Sequence, residues 1–299
     1  MTNNPPPLIP GDLLRVITPS GALREFEAFQ KGIEIWRRQG YRVELPINYD
    51  ARDGYLAGTD IERRQQLAAA WHDPECRGIL CARGGYGSAR LLEDWTWLSA
   101  KPAIPKWLIG FSDITCLLWS LYQSGISGVH GPVLTTLAAE PDWSLHRLFD
   151  YVAGRDLEPL SGVSWTSGKV TGVLLPANLT VATHLLGTPV QPRLEGVILA
   201  LEDVTEAPYR IDRMLTQWLM SGAFDGVCGI ALGRFSRCFS PQGVPSWTVE
   251  EVLRDRLTHL GIPIVSDLPF GHDGVNAALP VGQKVQLNAD RGTLSWSLI

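Results

Sequence analysis

The chain has 299 residues, of which 45% are hydrophobic and 19% charged, a balance that is typical of a globular protein and excludes an intrinsically disordered one. The formal net charge of −5 and the scattered Lys and Arg argue against a nucleic-acid partner, which would need a clustered basic face. We therefore expect a small or peptidic substrate. At this length two domains are expected.

The five cysteines are odd in number and show no C-x-x-C spacing, so the sequence predicts neither a disulfide framework nor a zinc site. The amino-terminal residues lack a basic region followed by an apolar one, and no later apolar run is long enough to span a bilayer. We expect a cytoplasmic protein with no membrane partner.

The first half alternates strand-like and helical runs, which predicts an α/β domain with a parallel sheet of the Rossmann or flavodoxin-like kind. The expected strands are 13–18, 41–45, 78–82, 107–109 and 127–130, and the expected helices are 25–38, 61–71 and a run from 114. Ligands bind beyond the carboxyl ends of such strands. The loops 19–21, 83–87 and 110–113 should therefore gather at one edge of the sheet.

The composition loosens into Gly, Pro and Ser over 151–168, which indicates a linker between an N-terminal domain at 1–150 and a C-terminal domain at 169–299. The second half mixes strands and helices without regular alternation, which predicts an α+β, barrel-like domain. Its expected strands are 169–174, 197–201, 227–232 and 284–287, and its expected helices are 178–186, 209–220 and 249–260.

Ser112 lies where the strand 107–109 runs directly into an amphipathic helix. At a helix N-terminus, unpaired backbone N–H groups and the helix dipole favour a developing oxyanion, so this position suits a nucleophile. Serine is also a preferred helix cap, and a serine that only caps a helix takes part in no reaction. The partners of Ser112 elsewhere in the chain decide between the two.

A serine nucleophile needs a general base, usually histidine, and a third group that orients the base. Surface positions explain His72, His146 and His259, and His184 is expected in the core because its helical run is apolar. His130 remains, since it ends a strand at the same sheet edge. His272 also remains, in a glycine-flanked loop of the kind that often carries function.

The orienting acid should be rigid and partly buried, as a carboxylate at the end of an apolar strand would be. Glu202 directly ends the run 197–201, and Glu206 is the competing acid four residues later. We prefer Glu202, although strands also commonly end in an exposed acid.

Four motifs in this order resemble those of the LD-carboxypeptidases, serine peptidases that also include the microcin C immunity peptidases. They are Arg83-Gly84-Gly85-Tyr86-Gly87, Gly110-Phe111-Ser112-Asp113, Leu201-Glu202-Asp203-Val204 with Tyr209-Arg210-Ile211-Asp212-Arg213-Met214-Leu215, and Gly271-His272. The resemblance implies a triad of Ser112, Glu202 and His272 at the junction of the two domains.

The resemblance also implies an activity: cleavage of the amide between the L-centre of a diamino acid and the terminal D-alanine of a murein tetrapeptide. The product would be a tripeptide for cell-wall recycling. Neither a metal nor an organic cofactor is implied, and homodimers are common in the family.

The family resemblance also suggests a function for the glycine-rich loop 83–87. Gly84 and Gly85 allow backbone N–H groups close to a substrate, and Gly85 is expected to form the oxyanion hole with the N–H of Asp113. Arg83 is a candidate for binding the terminal carboxylate of the substrate, and His130 could line the same edge. A phosphate-binding loop is disfavoured because the P-loop lysine is missing.

Two other functions stay open at this point. A microcin-immunity peptidase would use the same triad on a peptidyl-nucleotide, and a non-catalytic module would bind muropeptides as a sensor. One departure from the family also bears on the substrate: relatives carry a glycine pair before Asn-Leu where this chain has Pro176-Ala177, and we expect an altered loop near the cleft.

Overall fold

A computed structural model describes residues 2–97 and 104–296. The chain forms two compact units, one of Met1–Asp156 with Ala277–Gly282 and the other of Leu157–Asn276 with Gln283–Ile299. This division differs from the expected domains in two places. Residues from 157 onward, within the expected linker, already belong to the second unit, and 277–282 returns to the first.

The secondary structure consists of fourteen strands and nine α-helices in the described part of the chain, with three short 3₁₀ turns at Leu92–Asp94, Ser112–Ile114 and Thr258–Leu260. The strands are β1 (Leu13–Ile17), β2 (Arg42–Glu44), β3 (Cys76–Cys81), β4 (Trp107–Gly110), β5 (Gly128–His130), β6 (Leu160–Ser161), β7 (Val163–Ser164), β8 (Lys169–Asn178), β9 (Val197–Val204), β10 (Gly229–Ser236), β11 (Ile264–Ser266), β12 (Leu279–Val281), β13 (Lys284–Asn288) and β14 (Thr293–Ser295). The helices are α1 (Phe26–Arg38), α2 (Asp60–His72), α3 (Ser88–Leu91), α4 (Thr115–Gln123), α5 (Leu134–Leu137), α6 (Asp142–Val152), α7 (Leu179–Leu185), α8 (Pro208–Met220) and α9 (Val249–Leu257).

The sheet of the first unit has the order β2-β1-β3-β4-β5-β12. The first five strands are parallel, in the 2-1-3-4-5 order of flavodoxin-like folds, so the predicted fold class is confirmed. Their apolar runs are buried, as both faces of a parallel sheet require. β12 pairs antiparallel with β5, which is why 277–282 belongs to this unit.

The sheet of the second unit has eight strands in the order β6-β14-β13-β8-β9-β10-β11-β7. β8, β9, β10 and β11 are parallel, and the remaining pairs are antiparallel. The two end strands, β6 and β7, are separated in the chain by Gly162 alone, so the sheet curls until the chain itself joins its ends. The unit is therefore barrel-like, without a closed hydrogen-bonded barrel among the described residues.

Helix starts follow local sequence signals. Thr59 and Glu62 form a capping box at α2, and Thr248 and Glu251 form another at α9. The expected helix 249–260 ends earlier, at Leu257, and continues as the 3₁₀ turn before Gly261. In the described residues no helix is both long and apolar enough to cross a membrane.

Gly32 of α1 provides a test of the packing beneath the first sheet. A Cβ atom at this position would lie 2.1 Å from the carbonyl oxygen of Leu134 in α5. Gly32→Ala is therefore expected to lower the free energy of unfolding by about 1–3 kcal/mol, although alanine favours a helix over glycine by about 1 kcal/mol. Urea denaturation measures the change. The control is Gln30→Ala on the exposed face of α1, expected to be near neutral, and a stabilising Gly32→Ala would contradict the close packing.

Candidate active site

Ser112 lies at the turn between β4 and α4, as the sequence predicts. Its φ of 63° is in the left-handed region, which costs an L-residue about 1–2 kcal/mol. Gly110, just before the turn, has no room for a side chain, because a Cβ there would lie 2.9 Å from Ile114. A strained serine at a strand-to-helix turn is the geometry that exposes a nucleophilic oxygen in α/β-hydrolases.

The carboxylate of the buried Asp113 joins the three loops that the sequence placed at one edge. Its Oδ2 accepts a hydrogen bond from Ser20 Oγ at 2.6 Å and another from the backbone N–H of Ser88 at 2.8 Å. The Asp113 carbonyl also accepts from Ser88 Oγ at 2.6 Å. The N–H of Gly21 donates to the carbonyl of Gly84 at 3.2 Å, so the expected gathering of these loops is confirmed.

A fully buried arginine, Arg63, forms hydrogen bonds with the backbone of two of these loops. Arg63 of α2 donates through Nη1 to the carbonyls of Pro19 and Gly87, and it pairs with Asp60 through Nη2. Burial lowers the pKa of Arg63, although the charge and hydrogen bond of Asp60 partly compensate. The sequence analysis did not identify Arg63, because a polar residue on a helix gives no sign of being buried.

The glycine loop after β3 packs directly against the serine. A Cβ atom on Gly84 would lie 3.3 Å from Ser112 Oγ, and Gly85 has a φ of +109°, which an L side chain rarely adopts. In the described part of the chain, no acceptor receives a hydrogen bond from the backbone N–H of Gly85 or of Asp113. These two N–H groups therefore remain as donors, one in the glycine loop and one in the residue after Ser112.

The side chain of Arg83, the first residue of the loop 83–87, is held by two hydrogen bonds. Its Nε donates to Glu25 at 3.1 Å, and its Nη1 donates to the carbonyl of Gly84 at 3.2 Å. Burial would raise the pKa of Glu25, but the hydrogen bond and charge of Arg83 outweigh it and hold that pKa below its ordinary value. The guanidinium is thus oriented before any ligand arrives.

His130 lies in the core of the first unit. Its ring is fully buried and packs edge-on against Phe111, the residue before the serine, with ring centroids 6.0 Å apart. This placement supports a packing role beneath the serine turn.

His272 and Glu202 form a hydrogen-bonded pair in the second unit. His272 Nδ1 lies 2.6 Å from Glu202 Oε2, the Glu202 side chain is 0% exposed, and that of His272 is 16% exposed. Burial alone would lower the pKa of His272, but the charge and hydrogen bond of Glu202, aided by Asp203, raise it above the ordinary histidine value. A histidine oriented by a buried carboxylate is the arrangement of a general base.

The loop that carries His272 is anchored on both sides. Gly271 has a φ of +130°, and its N–H donates to Asn276 Oδ1 at 3.1 Å. The N–H of Asp273 donates to Ser236 Oγ at 3.1 Å, and the Asp273 carboxylate pairs with Arg237 at 2.7 Å. The histidine is therefore presented by a rigid turn.

Two residues around Glu202 were missed by the sequence analysis. Asn178 Nδ2 donates to Glu202 Oε1 and to Asp203 Oδ1, both at 3.2 Å, while its Oδ1 caps α7 by accepting from Val181 N at 3.1 Å. Burial and the neighbouring Glu202 charge raise the pKa of Asp203 to about 6. The sequence shows an Asn directly before a helical run, which is a typical helix cap. Its hydrogen bonds to Glu202 and Asp203 depend on β8 and β9 lying side by side.

Several other expectations can be compared with the structure. Glu206 lies 3.5 Å from Arg210, whereas Glu202 contacts His272. His72, His146 and His259 are exposed as expected. The prediction of a core position for His184 is wrong, because the apolar side of α7 is formed by its neighbours and His184 is exposed.

The expected altered loop at Pro176-Ala177 is also wrong. Both residues continue β8, opposite Ala200 and Leu201 of β9.

The predicted site residues thus fall into two groups. Ser112, Asp113 and the loop 83–85 belong to the first unit, and Glu202 and His272 belong to the second. Among residues 2–97 and 104–296, no three His, Cys, Asp or Glu side chains cluster in a way that could hold a metal ion.

Comparison with known proteins assigns both units. The family described as LD-carboxypeptidase N-terminal domain matches residues 14–131, and the LD-carboxypeptidase C-terminal domain matches residues 171–287. A protein of Synechocystis sp. that is provisionally named a carboxypeptidase is 63% identical over 98% of this chain and 96% of its own. The murein tetrapeptide carboxypeptidase of Pseudomonas aeruginosa is 33% identical over 94% of both chains.

Solved structures agree with this assignment. The muramoyltetrapeptide carboxypeptidase from Oxalobacter formigenes has a TM-score of 0.82 and 29% identity, over 94% of this chain and 97% of its own. The wild-type microcin C7 self immunity protein has a TM-score of 0.84 over 99% of both chains at 22% identity, which shows a shared fold. The chain therefore belongs to the LD-carboxypeptidase family and is a serine-type carboxypeptidase.

Proposed function

We propose that this carboxypeptidase releases the terminal D-alanine of murein tetrapeptides, cutting the amide after the L-centre of the diamino acid at the third position. The observation that carries the proposal is the 2.6 Å contact between His272 Nδ1 and the buried Glu202, which is the base half of a serine triad. The names of the Pseudomonas and Oxalobacter relatives support the substrate class.

In the proposed mechanism, Glu202 occupies Nδ1 of His272 and leaves Nε2 as the basic nitrogen. Ser112 Oγ attacks the carbonyl carbon of the diamino acid while its proton passes to Nε2. The imidazolium that forms is stabilised by the Glu202 carboxylate. It then gives the proton to the leaving amine of D-alanine as the C–N bond breaks, which leaves an ester on Ser112.

The second half of the reaction repeats these roles with water as the nucleophile. His272 takes a proton from water, the hydroxyl attacks the ester carbonyl, and Ser112 recovers its proton as the tripeptide leaves. In both halves of the reaction, the N–H groups of Gly85 and Asp113 would donate hydrogen bonds to the negatively charged oxygen of the tetrahedral intermediate. Arg83, already oriented by Glu25, would bind the terminal carboxylate of the substrate.

The tripeptide product would return to cell-wall synthesis, so the proposed activity would serve peptidoglycan recycling. A cytoplasmic location and assembly as a homodimer stay predictions of the family resemblance.

Replacing the serine separates chemistry from stability. Ser112→Ala is expected to reduce D-alanine release from tetrapeptide by roughly four to six orders of magnitude. Ser112→Gly is expected to be equally inactive but about 1 kcal/mol more stable than Ser112→Ala, because glycine adopts the φ of 63° without strain. D-alanine release and urea denaturation measure the two effects.

The outcomes distinguish the candidate functions. Full activity of Ser112→Ala would refute the triad. A wild type that releases no D-alanine but cleaves a peptidyl-nucleotide amide would favour the microcin-immunity function, and binding of muropeptide without cleavage would favour a sensor module.

The Glu202 carboxylate should also determine the pH dependence. Its negative charge favours the imidazolium, so the acid limb of kcat/KM in the wild type should have its midpoint above the ordinary histidine pKa of 6.5. In Glu202→Gln the effect of burial remains without the compensating charge, so the limb should move to lower pH while kcat falls by roughly 10,000-fold.

A pH profile of kcat/KM for the wild type, Glu202→Gln and Glu206→Gln measures this shift. Glu206→Gln is the matched control, because the other candidate acid makes its ion pair with Arg210. A limb that moves in Glu206→Gln and stays in place in Glu202→Gln would reverse the assignment of the acid.

A further inference from the structure

Arg63 binds two of the loops at the edge of the first sheet to each other. It lies in the first turn of α2, and its side chain is 0% exposed. Its Nη1 donates to the carbonyl of Pro19, in the loop after β1, and to the carbonyl of Gly87, at the end of the glycine-rich loop, the latter at 2.9 Å. A single buried nitrogen atom therefore holds both loops, and the proposed chemistry does not use it.

The two bound carbonyls determine the position of the Gly84–Gly85 peptide from both sides. Gly87 ends the same loop, and a Cβ atom on it would lie 3.0 Å from Arg63 Nη1. The loop after β1 acts from the other side, because the N–H of Gly21 donates to the carbonyl of Gly84 at 3.2 Å. That carbonyl and the N–H of Gly85 belong to one planar trans peptide unit, so they point in opposite directions. A hydrogen bond to the carbonyl of Gly84 therefore fixes the direction of the Gly85 N–H.

We propose that Arg63 is a positioning residue for the oxyanion hole: it holds the loop 19–21 against the loop 83–87 and thereby aims the N–H of Gly85. This inference rests on the proposed function, in which that N–H donates to the tetrahedral intermediate. A donor stabilises an oxyanion only when it is oriented in advance, and the loss of one such donor lowers kcat by about 100- to 1000-fold. Arg63 acts through the two loops and not on the substrate.

The buried guanidinium can be removed without leaving a buried charge alone. Asp60, the acidic partner of Arg63, also accepts from Arg90 Nε at 2.9 Å to each carboxylate oxygen. The carbonyl of Gly87 also accepts from the backbone N–H of Arg90 at 3.2 Å. We therefore expect Arg63→Met to fold, since both groups keep a partner and methionine is a long apolar side chain.

The first test measures D-alanine release from tetrapeptide. In Arg63→Met, kcat should fall by roughly 100-fold, because the Gly85 N–H is no longer aimed. KM should stay within about threefold of the wild type, because Arg83 is oriented separately by Glu25. Arg63→Lys keeps the positive charge and a donor but not the planar fork, so it should restore about one tenth of the wild-type kcat.

Two control variants separate this role from stability. Arg90→Met removes the other arginine of Asp60, to which each side-chain hydrogen bond of Arg90 in residues 2–97 and 104–296 is directed, and it leaves Arg63 on both loops. Thr59→Ala removes the N-cap of α2 and should lower the melting temperature. In both controls kcat should stay at the wild-type value. Circular dichroism melting confirms that every variant is folded at the assay temperature.

The second test needs no peptide substrate. A fluorophosphonate probe reacts with an active serine: Ser112 Oγ forms a bond to phosphorus, the P–F bond breaks, fluoride leaves, and the serine proton passes to His272. Negative charge on the phosphoryl oxygen requires the same backbone donors. The labelling rate of Ser112, followed by mass spectrometry, should fall by roughly 100-fold in Arg63→Met and stay unchanged in Arg90→Met.

The outcomes distinguish this inference from the proposed function. If Arg63→Met is folded and keeps the wild-type kcat and labelling rate, the inference is overturned and the proposed function stands. An equal loss of kcat in Arg90→Met or Thr59→Ala would also overturn the inference, because the loss would then follow the ion pair or the stability of α2. If the wild type releases no D-alanine but is labelled, and labelling falls in Arg63→Met alone, the proposed function fails and the positioning role stands. A wild type that neither releases D-alanine nor is labelled would refute both.

Discussion

The carboxylate of Asp113 is the interaction on which the geometry of the first unit's site depends. It is buried, and it accepts hydrogen bonds from Ser20, in the loop after β1, and from Ser88, the first residue of α3 directly after the glycine loop. Without it, three chain segments that follow β1, β3 and β4 would have no common anchor. Since a buried carboxylate that loses its donors pays the full desolvation penalty, the three loops are coupled in their positions. The serine, the glycine loop and their N–H groups therefore form one rigid assembly.

The second unit also contains buried carboxylates that are positioned by hydrogen bonds, and one of them pairs with His272. Two successive acids, Glu202 and Asp203, are buried side by side, which is unfavourable unless each has donors. Alternation along β9 directs them to different partners: Glu202 to His272, and Asp203 to Thr180 and Val204. Asn178 donates to both, and its orientation is determined because the opposite end of its amide caps α7. The carboxylate that pairs with His272 is thus oriented by a residue that also caps a helix.

Backbone strain and close packing coincide at Ser112. A left-handed φ at a serine is unfavourable. The turn is closely packed, since a Cβ atom on Gly110 would lie 2.9 Å from Ile114 and one on Gly84 would lie 3.3 Å from Ser112 Oγ. The N–H of Asp113 follows directly after Ser112 in the same turn.

The sequence by itself determined the strand and helix pattern of the first unit, the strand-to-helix position of Ser112, and the choice of His272 and Glu202. These depend on local periodicity, on glycine-flanked loops and on motif order, all of which are properties of neighbouring residues. Only the tertiary structure decided what depends on residues far apart in the chain. It returned 277–282 to the first sheet through the pairing of β12 with β5, placed His184 at the surface, and kept Pro176-Ala177 within β8. It also brought Arg63, Asn178 and Asp203 next to the two groups of predicted site residues, because burial and hydrogen bonding of polar side chains are determined by which elements pack together.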